Sequence, residues 1–459
     1  MTAVTTPGLD ELGIRVRGDI ITPDAAGYEE ARAVYNGMID KRPALVLRCR
    51  DVGDVQAAIA YARANELDIA VRGAGHNGAG FGTADNALVI DLSPMRWVRV
   101  DPNSRTAQIG GGCQLGDVDH ATHAFGLAAP MGIISTTGVG LILGGGVGHL
   151  TRKYGLASDH LVSADVVLAD GSFVHASEDE NADLLWALRG GGGNFGVVTA
   201  LTLSLHEQST VVAGPIIWSL DQAAEVLAWY REFLPAQPDE LTGFFAFLSI
   251  PPGPPFPEEL HLQKIAAVIW CFSGDPADAD AALAPARAVG TPLLDGVGEV
   301  PLPAFQSAFD AVYPAGDQWY WRGDYFSEIS DAAIEKHVEF AHKMPTWKST
   351  MHLYPSDGAA ARVPADASPW AYRDAKWTGV FAGVDPDPAN AELIKSWTID
   401  YWEALHPHSM GGSYVNFMMD EGQERVQATY GDNYSRLARV KAQYDPGNVF
   451  HVNQNIRPA

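Results

Sequence analysis

The stretch Arg72-Gly73-Ala74-Gly75-His76-Asn77-Gly78, continued by Ala79-Gly80-Phe81-Gly82, constrains this chain more than any other. It follows a short apolar run, Asp68-Ile69-Ala70-Val71, that reads as the end of a strand. Glycines this dense let backbone approach a ligand closely, and their N–H groups can cradle phosphate. Gly73-x-Gly75-x-x-Gly78 also matches the bare dinucleotide fingerprint. That pattern carries meaning only where its last glycine opens a helix. Here the chain runs on through Ala79-Gly80-Phe81-Gly82-Thr83, a poor helix former, into a second apolar run, Ala87-Leu88-Val89-Ile90-Asp91-Leu92. A phosphate-cradling loop between two strands is predicted, not a Rossmann turn. The plainer reading of His76 is a surface-loop histidine without a role.

The rest of the chain narrows the class. Its 459 residues allow two domains with sizeable cores. A formal net charge of -25, with no basic patch, argues against nucleic-acid partners and anionic membrane surfaces; the acidity reads as a solubility device. Cys49, Cys113 and Cys271 lie far apart and offer neither metal spacing nor a disulfide framework, which fits a reducing compartment. Met1-Thr2-Ala3-Val4-Thr5-Thr6-Pro7 lacks a basic region followed by an apolar run, so no signal peptide is expected. No stretch has the length and apolarity of a membrane span. The expectation is a cytoplasmic protein without a metal.

Periodicity supplies the elements. The segment from Gly8 to Tyr35 reads as a surface-hugging lead-in. Ala44 to Cys49 reads as a buried strand. Asp51 caps a helix from Val52 to Asn65, with Val55, Ile59 and Ala62 on one face. A hairpin joins 97–100 to 106–109, and a helix from Leu115 to Ala124 stops at Gly126. Asp170-Gly171 is the tight turn of a second hairpin. Asn181 or a neighbour caps a helix through Leu184, Leu185 and Leu188, and 197–203 is a strand. Between them, 131–148 is too glycine-rich for a helix and too apolar for a solvated linker; it makes sense as backbone wrapped against a buried ligand. From about His206 the character changes. Prolines cluster at 251–255, and amphipathic helices (331–343, 391–405) alternate with aromatic-rich strands at 265–270, 319–322, 349–354 and 378–381. This is an antiparallel sheet backed by helices, and the class is α+β.

The Arg-x-Gly-Ala-Gly-His-Asn loop, the glycine-rich segment some sixty residues on and Asn453-Gln454-Asn455 near the end together resemble the FAD-linked oxidases of the vanillyl-alcohol oxidase superfamily. The match is closest to the berberine bridge enzyme-like group, especially its bacterial members. The resemblance implies an FAD-binding domain over 1–206, a substrate-binding domain over 207–412, and a segment, 413–459, that returns to the first. It implies that His76 is joined to the flavin's 8α-methyl carbon. It places Arg72, Gly73, Ala74, Gly75, Asn77, Gly80, Met131, Gly132, Thr136, Thr137, Gly138, Gly144, Gly145 and Gly148 against the cofactor. Gly196 and Val198 fall on its adenine side, and Asn453 and Asn455 meet it from the tail. Many members carry a cysteine ahead of the Gly138-Val139 position that bonds flavin C6. Here that place holds Ile134, or Ile133 one register away, and Cys113 is too far upstream. A single covalent bond is implied, and a carbohydrate oxidase is disfavoured because those relatives usually keep that cysteine. Thr137 falls where a small residue admits oxygen, which leans towards an oxidase.

Flavin oxidation needs a donor C–H facing flavin N5, a base for the accompanying proton, and an electron acceptor. A tyrosine titrates near ~10 and needs a nearby cation to act as base at neutral pH. Tyr154, after Arg152-Lys153, and Tyr414, in a Tyr-x-Asn motif, match family tyrosines that face the ring. The alternative for each is a packed aromatic with a satisfied hydroxyl. His352 and Arg322 read more simply as satisfied sheet residues than as pocket groups; Lys376 and Trp377 are weaker still. The expected activity is oxidation of a small alcohol, amine or phenolic metabolite, of the kind secondary metabolism handles, with O2 as acceptor and H2O2 as product. A dehydrogenase of the same fold, a flavin-binding protein without turnover and a Rossmann NAD enzyme are the alternatives; the missing helix after Gly78 counts against the last. Substrate identity and oligomeric state are not legible.

Overall fold

A computed structural model describes residues 8–459; Met1 to Pro7, read above for a signal, lie outside the described residues. Among the described residues no helix is long and apolar enough to cross a membrane. The lead-in holds a helix, Leu9–Arg15, a strand, β1 (Asp19–Ile21), and a helical turn, Tyr28–Arg32. β1 pairs antiparallel with β2 (Leu45–Arg48). The helix Val52–Ala64 then carries the chain to β3 (Ile69–Arg72). Its Asp51 cap accepts from the Asp54 N–H at 3.1 Å. Val55, Ala58, Ile59 and Ala62 pack on Leu45, Leu47, Leu88 and Ile90, so the helix is held by its apolar stripe.

β3 and β4 (Leu88–Asp91) run parallel and adjacent, with Arg72 opposite Asp91 in register. Parallel neighbours are usually joined through a helix. Here the fifteen-residue crossover from 73 to 87 contains none, as the glycine pattern predicts. Side chains hold it instead. Arg72 Nη2 lies 2.8 Å from Asp91 Oδ2 and donates to Ala31 O at 2.6 Å, while Nη1 donates to Ala33 O at 3.2 Å. Both charged groups are buried.

A second, antiparallel sheet follows. It contains β5 (Val98–Asp101) and β6 (Thr106–Gly110); β7 (Leu127–Ala128) branches off; β8 (Leu161–Val167), β9 (Phe173–Ala176) and β10 (Val197–Ser204) complete it in the order β5-β6-β10-β8-β9. β11 (His206–Glu207) returns to pair with β7. The Asp170-Gly171 turn closes with the Leu168 N–H donating to Ser172 O and the Gly171 N–H to Leu168 O, both at 2.9 Å. Asn181 does not cap the following helix, Ala182–Leu188, with its side chain. Its amide donates to His175 O at 2.7 Å instead, tying helix to hairpin. The glycine-rich segment does contain one helical turn, Gly140–Leu143, because Ile142 and Leu143 can be buried there.

The remaining strands form an eight-stranded antiparallel sheet. They are β12 (Thr210–Ser219), β13 (Leu241–Ser249), β14 (Lys264–Phe272), β15 (Leu294–Asp295), β16 (Gly298–Pro301), β17 (Gln318–Phe326), β18 (Thr350–Pro355) and β19 (Trp377–Asp385). Strand periodicity divides their side chains. Phe245, Phe247, Met351, Leu353 and Phe381 pack with helices Ala223–Phe233, Asp331–His342 and Ala391–Leu405. Phe244, Ala246, Tyr354 and Val380 face the other way, into the core shared with the second sheet and the tail. The tail is pinned by fully buried Lys441, whose Nζ donates to Asp445 at 2.7 Å, Asn194 O at 2.6 Å and Phe450 O at 2.9 Å. Asn194 in turn donates to Gln454 O and accepts from the Ile456 N–H.

Breaking a buried ion pair from one side leaves an uncompensated charge. Asp91→Ala strands the Arg72 guanidinium and is expected to lower unfolding stability by about 3–5 kcal/mol, read from the shift of the urea unfolding midpoint.

Candidate active site

The cavity-facing side of the large sheet and the loops of the first half enclose one cavity of about 380 Å³. That falls in the ~300–1,000 Å³ range of cofactor and ligand sites. One wall is mostly backbone, from the 72–77 loop, the 132–144 segment, 191–196 and 452–454. The other is side chains of the sheet: Trp319, Trp321, Thr350, His352, Tyr354 and Val380. The Gly73-to-Gly78 loop thus does meet a binding space.

His76 sits at the heart of that loop. Its ring stacks on Tyr35 with centroids 3.8 Å apart. Its Nε2 is 3.1 Å from Thr136 Oγ1 and its Nδ1 3.5 Å from Thr137 Oγ1. Asn77 Oδ1 accepts from the Phe81 N–H at 3.1 Å and closes the turn that follows. Burial pushes His76 down to about 4, so the ring is neutral at physiological pH. A neutral imidazole keeps a nitrogen lone pair for bonding. Arg72 borders the cavity, but its guanidinium is committed to Asp91 and two carbonyls, so it props the loop.

The glycine-rich segment serves two ends. Gly132, Gly138, Gly140 and Gly144 border the cavity. Others are glycines because protein presses on them. Gly145 has φ +123, and a Cβ there would stand 2.6 Å from the Trp370 ring; at Gly148 it would stand 1.7 Å from Met131 O. Bordering the cavity therefore accounts for only part of the run. Gln306 donates to Gly132 O, and Asp310 accepts from the Ser135 N–H at 3.0 Å, fastening the segment to the second half. Ile133 and Ile134 both line the cavity, and no cysteine does. Cys113 is buried elsewhere, its thiol on Trp97 O at 3.1 Å.

The two predicted tyrosines part company. Tyr414 lines the cavity and is 1% exposed. Its hydroxyl accepts from the Gly146 N–H at 2.9 Å and from the Asn416 amide at 2.6 Å. Burial pushes it up to about 12, against those hydrogen bonds, which favour the phenolate. Tyr154 is not brought to the cavity. Its ring stacks on His206 at 3.9 Å, and its hydroxyl reaches Glu207 O at 3.4 Å. Lys153 lies over that ring's face rather than at its hydroxyl. The local sequence around Tyr154 could not reveal this, because the direction of a one-turn helix, Thr151–Tyr154, is set by tertiary packing.

Among the cofactor positions read from sequence, Arg72, Gly73, Ala74, Gly75, His76, Asn77, Gly132, Thr137, Gly138, Gly144, Gly196, Val198 and Asn453 border the cavity. Gly80, Met131, Thr136, Gly145, Gly148 and Asn455 do not; Thr136 instead lies 3.1 Å from the His76 ring nitrogen. On the sheet, His352 faces the cavity. Arg322 does not, since strand alternation puts Trp319 and Trp321 on that face; it lies 3.4 Å from Glu421 and over Trp402. Lys376 and Trp377 also lie outside the lining, Trp377 within the helix-backed core. Sequence reasoning missed Tyr35, Tyr354, the Trp319–Trp321 pair and the 191–194 loop. Period-two alternation along β17 and β18 was the available signal for the sheet residues; Tyr35, in the lead-in, had none.

The donor set fits FAD. Glycine backbone lines one wall, and a Cβ at Gly140 or Gly193 would meet no protein atom within 4 Å. The side-chain oxygen of Asn453, which borders the cavity, is buried with no partner among the described residues, so it can accept from a ligand's donor.

The chain is similar to known proteins along most of its length. The family described as FAD binding domain matches residues 43–177, and that described as berberine and berberine like matches residues 413–457. An FAD-linked oxidoreductase of Dictyostelium discoideum is 32% identical over 92% of this chain and 91% of its own. The (R)-6-hydroxynicotine oxidase of Paenarthrobacter nicotinovorans is 30% identical over 97% of this chain and 98% of its own. The crystal structure of 6-hydroxy-D-nicotine oxidase from Arthrobacter nicotinovorans superposes with a TM-score of 0.87, at 30% identity, over 97% of this chain and 98% of that one. The chain is therefore an FAD-linked oxidoreductase, of mixed α+β fold, and belongs to the berberine bridge enzyme-like family.

Proposed function

We propose that the protein is an oxidase that takes hydride from a small, uncharged alcohol, amine or phenolic metabolite to an FAD joined covalently to His76, with O2 as acceptor and H2O2 as product. The observation that carries this reading is the meeting, in one cavity, of a neutral His76, Thr137 and Tyr414 with a hydrogen-bonding sheet face. FAD, when bound, supplies the two-electron acceptor. The residues that would hold it are the 72–77 loop, Gly132, Gly138 to Gly144, Gly196, Val198 and Asn453. Thr136 and Thr137 orient the His76 ring, and its depressed basicity keeps a ring nitrogen unprotonated for the link. The absence of a cysteine from the lining supports attachment through His76 alone. The relatives named as nicotine oxidases support an oxidase over a dehydrogenase.

Charge selects the substrate class. Among the described residues that line the cavity, Arg72 is the one with a permanent charge, and Asp91 already neutralises it. A carboxylate or ammonium group would lose its hydration here without a counter-charge, which is costly. Tyr414 acts as a donor. Its oxygen accepts two hydrogen bonds, and among the described residues no acceptor takes its proton, which is left for a ligand in the cavity.

Acid denaturation tests the link. Flavin colour should stay with the precipitated wild type and pass to the supernatant for His76→Ala; colour released from wild type refutes the covalent bond. Tyr414→Phe should keep its flavin yet lose on the order of 10²-fold in kcat/KM, measured by peroxide release across a panel of uncharged aromatic alcohols and amines. Flavin reduced by substrate but reoxidised only by a dye, and not by O2, would make the enzyme a dehydrogenase.

A further inference from the structure

On the face of β18 that meets the cavity, Thr350, His352 and Tyr354 stand at alternate positions, as strand geometry requires. Their hydrogen bonds form one chain whose direction can be derived. Thr350 Oγ1 lies 2.9 Å from Phe247 O, and a carbonyl only accepts, so the hydroxyl's single proton goes there. Thr350 must then accept from His352 Nε2, at 2.9 Å, and Nε2 carries the imidazole proton. His352 Nδ1 is thereby the acceptor, and Tyr354 Oη, 2.5 Å away, donates to it. The Tyr354 oxygen has no other partner among the described residues, so its lone pairs are free to receive a ligand's hydrogen at the cavity wall.

We infer that Tyr354, backed by His352, takes the proton of the substrate's O–H or N–H group, and that Tyr414 donates to the substrate. This rests on the flavin-oxidase reading of the cavity. As hydride leaves the substrate carbon for FAD, that carbon's bond to oxygen or nitrogen becomes double. The O–H or N–H proton moves to Tyr354 Oη, and Tyr354's own proton moves to His352 Nδ1. The substrate would lose two electrons and two hydrogens, with the hydride going to the acceptor that bound FAD would supply; His352 would become imidazolium and later release its proton. A strong base is not required, because an alcohol losing hydride becomes a protonated carbonyl, which is a strong acid. Tyr354 is a catalytic residue in this scheme, and His352 a positioning and proton-accepting residue behind it.

The surroundings support such a relay. Phe244 on β13 packs on both rings, at 4.9 Å from His352 and 5.0 Å from Tyr354, and Val380 faces them from β19. The titratable groups nearby are Tyr313, Tyr414 and His149. Burial keeps all three uncharged at neutral pH: it raises both tyrosines and lowers His149 to about 3. No fixed charge competes for the proton. Burial also holds His352 neutral down to about 3. A base that is already unprotonated far below neutrality gives a rate that does not fall as pH drops through 7 to 5, unlike an ordinary histidine near ~6.5.

Two measurements decide the matter. The first needs no turnover: NMR of the flavin-loaded protein with 15N-labelled histidine, with His352→Phe for assignment. The expected His352 signal is the neutral Nε2–H tautomer, unchanged from pH 8 to 5, with Nδ1 shifted on Tyr354→Phe. The opposite tautomer, or protonation in that range, overturns the relay. The second is anaerobic bleaching of the flavin by 4-hydroxybenzyl alcohol. Tyr354→Phe should retain flavin and slow bleaching by about 10²-fold or more, with KM changed only a few-fold. His352→Phe should convert a flat pH profile into one rising about tenfold per pH unit towards alkali, because Tyr354 must then ionise unaided. Wild-type rates in Tyr354→Phe, a flat profile in His352→Phe, or a flavin-loaded wild type that is not bleached overturns the proposal. A wild type that binds no flavin defeats the oxidase reading itself.

Discussion

The buried pair between Arg72 and Asp91 is the interaction on which the rest of the molecule depends. Two adjacent parallel strands need a crossover, and this chain makes it with a glycine-rich loop that cannot support itself. The guanidinium closes the base of that loop and reaches back to carbonyls at Ala31 and Ala33. Two charges out of water are stable only when paired and hydrogen-bonded, so the pair specifies one geometry for the loop mouth. His76 inherits its position from that geometry, with Tyr35 on its face and two threonines at its nitrogens.

The second half answers with a sheet that is buried on both sides. Met351 and Leu353 join the helix-backed core, while Thr350, His352 and Tyr354 alternate with them into the cavity. The same period of two that stabilises the strand sorts packing from recognition. Closure of the cavity relies on joints between the halves: Gln306 and Asp310 grip the glycine-rich segment, and Lys441 locks the tail against the 191–194 loop. The enclosed space contains hydrogen-bonding groups but no uncompensated charge.

Much of this was legible in the sequence, and the misses share a cause. The Val52–Ala64 helix, the Asp170-Gly171 hairpin and the sheet backed by helices follow from caps, turns and periodicity, which are local. Arg72 to Asn77 and Tyr414 could be assigned from motif and reach the cavity. Tyr154 had as good a motif as Tyr414, yet its ring turned to His206. Asn181 had a capping residue's chemistry, but its amide donates to the neighbouring hairpin and its oxygen accepts from the Tyr444 hydroxyl instead of from the helix. Glycines of the 131–148 run look alike in sequence; only packing separates those facing the cavity from Gly145 and Gly148, which make room for Trp370 and a carbonyl.

The sequence by itself determined the fold class, the helix-free glycine loop between two strands, the family resemblance and the absence of a cysteine at the second attachment position. These follow from residue type and spacing, which need no knowledge of distant neighbours. Tertiary structure alone decided which tyrosine meets the cavity and how the hydrogen bonds run from Tyr354 to Phe247 O. Each of these depends on groups brought within about 3 Å from places far apart in the chain or from adjacent strands. A hydrogen bond's direction is set by every partner at once, so it exists only after the chain has closed around it.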